Sequence, residues 1–584
     1  MGVEGFKGYF ARNPIFSKCF SKTLPEDISS LFIDANGIFY KAAAEVYYMD
    51  SKTGQPLTDS GRKKLMKKSK KNLEEKHLDS IIKVLKGHID AVKPKDNLII
   101  AVDGVVNVAK MNQQKPRRFG KAMEDDPYKI FDSTSLTPGT EFMKKIDKKI
   151  ETWLENYDGY LPKRTIYSSH LQPGEGEHKI FDYVRRGDII QGDGYHVING
   201  LDNDLIILTI ISPLERVVMR PEDGSDKLNV TLLRKEILKM MRFKGSEDEN
   251  IIRDFCTIAT LLGNDFLHKF PNVFHDVRET MKLIFKVYKF NSKHLVDKDN
   301  NIIWRNYMNF LKIYDNYNRK VQPLYVQVYL KPPLHPYNEI EENIIVKDKD
   351  GNKVNQVYDR EKHTLSFNFH KFFRQWYKKQ FNENILQWTG ERVSTFTDEL
   401  IFDMCISYLQ TVQWVQYYYT EGYKYVSNLH AYHYIYNPLM GSVITVLNDL
   451  IEAKETAVLR DVKRKKGELD ITPIHQLLSV IPKTSIDQIP KQYRSIYRNF
   501  LQEINPEKFE YFEENYNKDY QKLANLPQVN VVYVNELLEQ KGFELPSDLV
   551  IKDDLIIVDD GDKYNIVIES DDDEDMSISH DDLI

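Results

Sequence analysis

Short apolar runs alternate with helical patterns through the first 240 residues of the chain. The runs have the length of strands and are rich in branched side chains, which is typical of strands buried in a sheet. Helical periodicity fills the intervals between them, and such alternation favours a mostly parallel sheet flanked by helices. The pattern therefore predicts an α/β fold. The four clearest runs are residues 31–33, 98–102, 196–199 and 228–232.

Beyond this region the pattern changes to helices and loops. Residues 249–330 have the apolar periodicity of helices, and residues 331–365 carry the prolines and turn residues of a loop with a short hairpin. Residues 366–440 predict a large helical region that is rich in aromatic side chains. Thr472 followed by Pro473 predicts the start of a further helix, with the threonine as its N-cap.

The C-terminal end of the chain is acidic from Asp553 onward. Two short apolar runs there are surrounded by acids, and a segment of this composition buries too little apolar surface to fold. We therefore expect a disordered acidic tail. These patterns divide the chain into four parts, residues 1–245, 246–450, 451–552 and 553–584.

Composition limits the class of protein without identifying it. The 584 residues, 41% of them hydrophobic, suffice for a large core in several domains or one composite domain. A net charge of −6 means that any affinity for nucleic acid depends on local patches. Widely spaced Cys19, Cys256 and Cys405 argue against a disulfide framework or a cysteine zinc site. With no run of membrane-spanning length and no signal peptide, we expect a soluble intracellular protein without a membrane partner.

Acidic residues follow three of the predicted strands. Asp34 follows the first run and Asp103 the second, while the third leads through Gly200 to Asp202 and Asp204. The carboxyl ends of parallel strands meet at one edge of a sheet, where ligands bind in open α/β folds. If residues 202–204 stay extended, both aspartates point to the same side, because strand side chains alternate.

Three more acids fit the same site. Glu175 and Glu177 lie in a turn before a helical segment, and Asp265 follows an apolar helix. Seven carboxylates together are too costly without cations, and hard ions such as Mg²⁺ or Mn²⁺ prefer oxygen ligands. Two such ions roughly 4 Å apart support phosphodiester cleavage. The alternative is that each acid separately caps a helix or turn. For any single motif this alternative is favoured. For the acids that follow equivalent strand ends, a shared site is favoured instead.

A basic segment follows Asp103. Lys110, Gln114, Arg117 and Arg118 have the spacing of one helical face, which would carry three cations and an amide suited to phosphate. The alternative is an ordinary solvated helix. Pro116 falls inside the segment, and because proline disfavours helical geometry we expect it to interrupt the helix before the two arginines.

A second basic run extends from Arg62 to Lys71. A solvated helix face is the first interpretation of such a run. Steering of RNA and a nuclear address are the alternatives.

These motifs together resemble the Xrn 5′-to-3′ exoribonucleases. The resemblance covers nearly the whole chain apart from the tail. It rests above all on the segments MGVEGFKGYFARNP, IDANGIFY, AVDGVVNVAKMNQQKPRRF, SSHLQPGEGEHKIFDYVR, GLDNDLIIL and LLGNDFLHKFPNV.

The resemblance implies a PIN/flap-nuclease-like fold and a set of site residues. Tyr40 stands where the family usually has a histidine that stacks on the 5′ base, and Trp414 is our candidate for a second stacking ring. The four polar residues of the basic segment match the family's pocket for a 5′-monophosphate. The metal-binding and catalytic acids, expected to hold two Mg²⁺ ions, are Asp34, Asp103, Glu175, Glu177, Asp202, Asp204 and Asp265.

The implied function is processive, Mg²⁺-dependent hydrolysis of single-stranded RNA from a 5′-monophosphate end to mononucleotides, in RNA decay. Residues 1–245 would carry the metal acids and phosphate pocket, residues 246–450 would complete the cleft, and residues 451–552 would finish the nuclease core. We expect decapping or decay factors as partners and a cytoplasmic location, with a nuclear one still open. A structure-specific flap endonuclease acting on DNA and a non-catalytic RNA-binding scaffold remain alternatives.

The tail carries one more motif. Residues 553–560 form a short apolar run between acids and resemble a SUMO-interaction motif. Such a run adds as a strand to the sheet edge of a partner. We therefore expect a SUMO-like partner for the tail.

Overall fold

The structure is a computed structural model of the full chain, and it describes most of the sequence. The described residues are 5–50, 53–124, 126–270, 277–329, 345–347, 353–355, 377, 398–434, 437–507, 509, 526–544, 549–559 and 564–567.

A mixed sheet forms the centre of the molecule. Its strands are β1 Phe20–Ser21, β2 Ile28–Asp34, β3 Asn97–Ala101, β4 Arg164–Ser168, β5 Tyr195–Asn199, β6 Val217–Arg220, β7 Lys227–Asn229, β10 Leu555–Asp559 and β11 Tyr564–Val567. Across the sheet the order is β1-β7-β6-β5-β2-β3-β4-β10-β11. The central strands β6, β5, β2, β3 and β4 run parallel, and the strands at both edges run antiparallel. A separate hairpin consists of β8 Ile345–Lys347 and β9 Lys353–Asn355.

Helices cover the sheet and continue beyond it. In the N-terminal part they are α1 Phe6–Arg12, α2 Asn36–Tyr47, α3 Asp59–Met66, α4 Lys70–Val92, α5 Val108–Met123, α6 Glu141–Glu155, α7 Gly176–Arg186, α8 Asn203–Ile211 and α9 Val230–Met241. They continue as α10 Asp248–Ala259, α11 Val277–Asn291, α12 Trp304–Tyr329, α13 Asp398–Glu421, α14 Met440–Ala453, α15 Pro473–Val480, α16 Arg494–Phe500 and α17 Val531–Gln540. The predicted α/β class, with a large helical region, is confirmed.

The two faces of the sheet pack against different helices because side chains alternate along each strand. Leu31 and Ile33 face one core, which α2, α4 and α6 close. Phe32 faces the other and larger core, to which α7, α8 and the helices α10 to α13 contribute. The helical region is therefore joined to the sheet through a shared apolar core, on the side of α7 and α8.

One element differs from the predicted pattern. The apolar run 228–232 divides between β7 and α9, because the Asn229 side chain accepts a hydrogen bond from the Leu232 backbone N–H and caps the helix. The helix predicted at Thr472 and Pro473 is present as α15. Most of the loop and helices expected over residues 331–397 lies outside the described residues.

The first part of the acidic tail is folded, which corrects the expectation of disorder from residue 553. β10 pairs antiparallel with β4 on one side and with β11 on the other. Ile556 and Ile557 are buried there, and the strand covers an edge that β4 would otherwise expose. The run expected to join a SUMO-like partner's sheet thus belongs to the protein's own sheet. Residues 568–584 lie outside the described part.

No helix among the described residues is long and apolar enough to cross a membrane.

Candidate active site

Acids from four loops meet at the carboxyl ends of the parallel strands. Asp34 is the last residue of β2, Asp103 follows β3, and Asp202 follows β5, which are neighbours in the sheet. Burial raises the pKa of Asp34 well above its ordinary value, and the charges of Asp103, Asp202 and Glu175 raise it further. The residues that sequence patterns assigned to one sheet edge therefore do lie together there.

Two acid pairs begin helices, so the extended geometry considered for residues 202–204 does not form. Asp202 occupies the N-cap position of α8 with Asp204 in its first turn, and Glu175 and Glu177 have the same arrangement in α7. The positive end of each helix dipole favours carboxylates there. Neither N-cap side chain accepts a hydrogen bond from its own helix, as far as the described residues extend. Glu175 and Asp202 therefore occupy N-cap positions without making the capping hydrogen bond.

Asn36, which sequence reasoning missed, fixes Asp103. Its side-chain Nδ2 donates to Asp103 Oδ2 at 2.6 Å, and its Oδ1 accepts from the Asp103 backbone N–H at 3.0 Å. The Gly176 backbone N–H donates to the other carboxylate oxygen at 2.7 Å. Both oxygens of Asp103 are thus oriented. The only signal in the sequence was the place of Asn36, two residues after Asp34.

Close approach of the loops requires glycine at two positions. A Cβ atom on Gly104 would lie 1.6 Å from the Gln172 carbonyl oxygen, and one on Gly176 would lie 2.6 Å from Asp34 Oδ1. The Gly104 N–H also donates to the Gly174 carbonyl at 2.9 Å, and the Gly174 N–H donates back to Val105 at 2.7 Å. The loops that carry Asp103 and Glu175 are thereby held side by side.

Lys110 lies among the carboxylates and not in a separate phosphate pocket. Its Nζ forms an ion pair with Glu175 Oε2 and bonds Asp265 Oδ2 at 2.8 Å. Burial alone lowers the pKa of this amine, but Asp265 and Glu175 raise it well above its ordinary value. Lys110 therefore stays charged and ties α5 to α7 and to the loop after α10.

Two tyrosines of α13 bring the helical region into the site. The Tyr418 hydroxyl donates to Glu175 Oε1 at 2.8 Å, and the Tyr419 hydroxyl donates to Asp204 Oδ1 at 2.8 Å. The His178 ring stacks on Tyr418 with centroids 3.9 Å apart, and burial lowers the pKa of His178 well below its ordinary value. Sequence reasoning noted the run of tyrosines but could not assign them to acids more than 200 residues away.

The acids carry more negative charge than Lys110 offsets. Burial raises the pKa of Glu177 well above its ordinary value, and it also raises the pKa of Glu175 and brings that of Asp204 to about 6. All donors are hard oxygens, which suits Mg²⁺ or Mn²⁺. Among the described side chains, however, no three histidines, cysteines or acids close around a single point. The side chains of the site are of the type that binds a divalent cation, but the described residues do not form a complete coordination shell.

The helix of the basic segment is continuous, so the predicted interruption at Pro116 is wrong. α5 runs from Val108 to Met123 through Pro116, which removes one backbone donor without ending the helix. Arg118 is drawn in among neighbouring side chains, where burial lowers its pKa to about 10. Its Nη1 has no hydrogen-bond partner among the described residues. Gln114 Oε1 accepts from Gln476 Nε2 at 3.4 Å, and Arg117 is exposed.

The two proposed stacking rings have opposite surroundings. Tyr40 on α2 is 47% exposed and lies near Arg118, so its ring is accessible beside the basic helix. Trp414 is 0% exposed, donates from Nε1 to the Ser427 carbonyl at 2.9 Å and stacks on Tyr418 at 4.8 Å. This corrects the substrate-binding role expected of Trp414, since a ring buried beneath Tyr418 presents no face to a base.

Comparison with known proteins gives two family matches. Residues 1–222 match the XRN 5′-3′ exonuclease N-terminus, and residues 333–549 match the Xrn1 helical domain.

Curated relatives carry the same name in several organisms. The 5′-3′ exoribonuclease 1 of Schizosaccharomyces pombe is 29% identical over 334 residues, covering 50% of this chain and 24% of that protein. The Saccharomyces cerevisiae protein is 30% identical over 319 residues, covering 47% and 20%, and the Homo sapiens protein is 24% identical over 575 residues, covering 85% and 31%. The chain thus spans less than a third of the length of these relatives.

Among solved structures, the catalytic core of Rad2 in complex with a DNA substrate aligns at 14% identity with a TM-score of 0.30. The alignment covers 65% of this chain and 95% of that one, and its score is too low to support a statement about substrate.

Proposed function

The chain belongs to the Xrn family of 5′-3′ exonucleases, and from this premise we propose that it is a metal-dependent exoribonuclease. Its substrate is single-stranded RNA with a 5′-monophosphate, which it degrades from that end to mononucleotides. One observation carries the proposal: helix α5 places Lys110 inside the acid cluster and, further along the same helix, Arg118 within electrostatic range of the exposed Tyr40. A single rigid element thus joins an anion-binding end to a cluster of carboxylates.

The phosphate end of the site depends on Arg118. A buried guanidinium nitrogen without a partner costs about 1–3 kcal/mol, and a phosphate oxygen that accepts its hydrogen bond removes this cost. Arg117 and the amide of Gln114 add donors on the same helical face. Eight residues of helix separate Lys110 from Arg118, about 12 Å along the axis. A 5′ phosphate bound at Arg118 therefore determines which phosphodiester bond of the RNA reaches the acids.

The acidic end of the site would hold the metal. Asp34, Asp103, Asp204 and Glu175 are the buried or oriented carboxylates best placed to do so. When bound, Mg²⁺ supplies Lewis-acid stabilisation of the charge that develops on the phosphate oxygens during hydrolysis. Asn36, Tyr418 and Tyr419 hold the carboxylates in their orientations, a role that second-sphere groups commonly have at metal sites.

Tyr40 supports the entry of single-stranded RNA. Every base has a flat face, so an exposed aromatic ring stacks on it without regard to sequence. Its proximity to Arg118 supports a role for the ring in stacking on the base next to an anchored 5′ phosphate.

A pH-dependent response to Mg²⁺ is expected from the raised carboxylate pKa values. Because burial raises the folded pKa of Asp204 to about 6, above the unfolded value of about 4, its contribution to the stability of the metal-free protein is most favourable below pH 4 and is lost as pH rises through about 6. For Asp204 alone the loss is on the order of 3 kcal/mol. Mg²⁺ should therefore raise the melting temperature by several degrees near pH 7.5 and much less near pH 5.

Thermal unfolding with Mg²⁺ or with EDTA at both pH values measures this difference. Asp204→Asn is the control, because it removes one titrating group and should reduce the pH dependence of the metal effect. An equal effect of Mg²⁺ at both pH values would contradict the proposed metal site.

Polarity of cleavage distinguishes the proposed exonuclease from a flap endonuclease. RNA labelled at its 3′ end and carrying a 5′ monophosphate should yield a labelled product that shortens only from the 5′ end. A branched DNA should remain intact under the same conditions. Internal cuts in the branched DNA would support the endonuclease, and tight RNA binding without any product would support the non-catalytic scaffold.

The cysteines bear on the location of the protein, and its substrate bears on its partners. Cys19, Cys256 and Cys405 are free and buried, which fits a reducing compartment such as the cytoplasm. An enzyme that requires a 5′ monophosphate depends on reactions that expose such ends, so decapping or decay factors are its proposed suppliers.

A further inference from the structure

A dense basic surface lies outside the acid cluster. It consists of six exposed lysines at the end of α3 and the start of α4, here called the lysine surface: Lys63, Lys64, Lys67, Lys68, Lys70 and Lys71. The sequence has no acid between residues 60 and 73. Acids flank this stretch only at its ends, at Asp59, Glu74 and Glu75.

Three acids near the lysine surface pair with cations outside it. Asp59 and Asp126 both bond Arg62, at 2.8 Å and 3.0 Å, and Glu74 pairs with Lys145. In the described part of the chain, none of the six lysines has a salt-bridge partner. Their charges remain available to an anion from outside the protein.

Packing does not explain why so many cations are concentrated here. A solvated helix usually buries one apolar face, yet α3 has no buried residue in the described structure. Lys70 and Lys71 begin α4, where the helix dipole disfavours cations, and no acid lies in that first turn. The arrangement has an electrostatic cost that a bound polyanion would offset.

Cationic residues connect the lysine surface to helix α5. Arg62 and Lys63 lie over the Tyr128 ring, 5.3 Å and 5.1 Å from its centroid. Lys129 follows this tyrosine in the chain. The positive charges of Lys129 and Arg117 are close enough to Lys121, in the last turn of α5, to affect its pKa. Cations therefore occur between the arginines of α5 and α3, together with the Tyr128 ring and the acids Glu124 and Asp126.

We propose that the lysine surface is a second RNA-binding site, which holds the phosphate backbone of a long substrate outside the active site. The inference rests on the proposed function, because it assumes that RNA is the substrate. Lysines without base-reading side chains bind phosphates independently of sequence, and their affinity falls as salt rises. A membrane surface fits less well, since Met66 is the one large apolar side chain exposed on α3.

The test neutralises four of these lysines, Lys63→Gln, Lys64→Gln, Lys67→Gln and Lys68→Gln, in the full chain. The matched control neutralises Lys282, Lys286, Lys289 and Lys293, which are exposed on or next to α11. Binding is measured without divalent metal on a 5′-hydroxyl RNA of about 30 nucleotides, and cleavage is measured with Mg²⁺ on a 5′-monophosphate RNA of about four.

The lysine-surface variant should bind the long RNA about tenfold more weakly near 0.1 M salt. The slope of log affinity against log salt should fall by about 0.7 for each phosphate that a substituted lysine no longer neutralises, while the control keeps the wild-type slope. Cleavage of the short RNA should stay within about twofold of wild type, because the four substitutions leave the acids of the active site and the arginines of α5 unchanged.

Three outcomes would overturn the inference. They are an unchanged affinity and slope in the lysine-surface variant, an equal loss of affinity in the control variant, and loss of binding to phosphatidylserine vesicles with RNA binding intact. Failure of the proposed function is distinguishable, since wild-type protein would then bind the long RNA in a lysine-dependent way without degrading the 5′-monophosphate RNA.

Discussion

Asp202→Ala combined with Asp204→Ala is expected to lower single-turnover hydrolysis of 5′-monophosphate RNA by about 10⁴-fold or more, roughly 5–6 kcal/mol of transition-state stabilisation. The reason is that these acids occupy the start of α8 without capping it, and Asp204 is buried with the Tyr419 hydroxyl as donor. Their loss removes two negative charges from the cluster, and one of these acids, Asp204, is a buried carboxylate whose pKa burial raises to about 6. Stability should therefore change far less than activity.

The control for this variant changes two exposed aspartates, Asp223→Ala and Asp226→Ala, in the turn between β6 and β7. It alters net charge equally and should keep wild-type rates. Melting temperatures of both variants with EDTA establish that they are folded. Hydrolysis that survives in the Asp202/Asp204 variant would show that these acids take no part in the reaction.

The second large effect is expected at the phosphate end. Arg117→Ala with Arg118→Ala should lower kcat/KM on 5′-monophosphate RNA by about 10²–10³-fold, because each charge-assisted hydrogen bond contributes about tenfold or more. The slow cleavage of 5′-hydroxyl RNA should not change, since that end has no phosphate to lose. The double variant should thus lose its preference for the monophosphate end and keep its acid cluster intact.

Replacement of the same two arginines by lysine provides the matched comparison. Lysine keeps the charge but not the planar fork that binds two phosphate oxygens, so an intermediate rate is expected. Equal losses on 5′-monophosphate and 5′-hydroxyl RNA would assign the arginines to a general role in RNA binding or folding.

The parts of the fold that follow from local pattern were predictable from sequence. Buried parallel strands read as apolar runs, and parallel direction alone places Asp34, Asp103 and Asp202 at one edge. The geometry of residues 202–204 was not predictable because so short a segment has no periodicity of its own, and its helical start depends on the apolar run that follows. The helix through Pro116 was misjudged because tertiary packing overrides the local preference.

Contacts between distant segments were the least predictable features. Tyr418 and Tyr419 reach the acids only because α13 packs in the core shared with α7 and α8. The burial of Trp414 was not predictable, because it depends on the same packing, which sequence does not reveal. The place of β10 in the sheet was not predictable either, because its run of five residues is short and acidic at both ends, and only the open edge of β4 gives it a partner.

The most direct test of the central claim compares three RNAs of one sequence that differ only at the 5′ end, as monophosphate, hydroxyl and triphosphate, with the wild-type protein and Mg²⁺. If α5 joins a phosphate-binding end to the catalytic acids, the monophosphate RNA is degraded to mononucleotides at least about 10²-fold faster than the other two. Equal degradation of all three RNAs would contradict that claim.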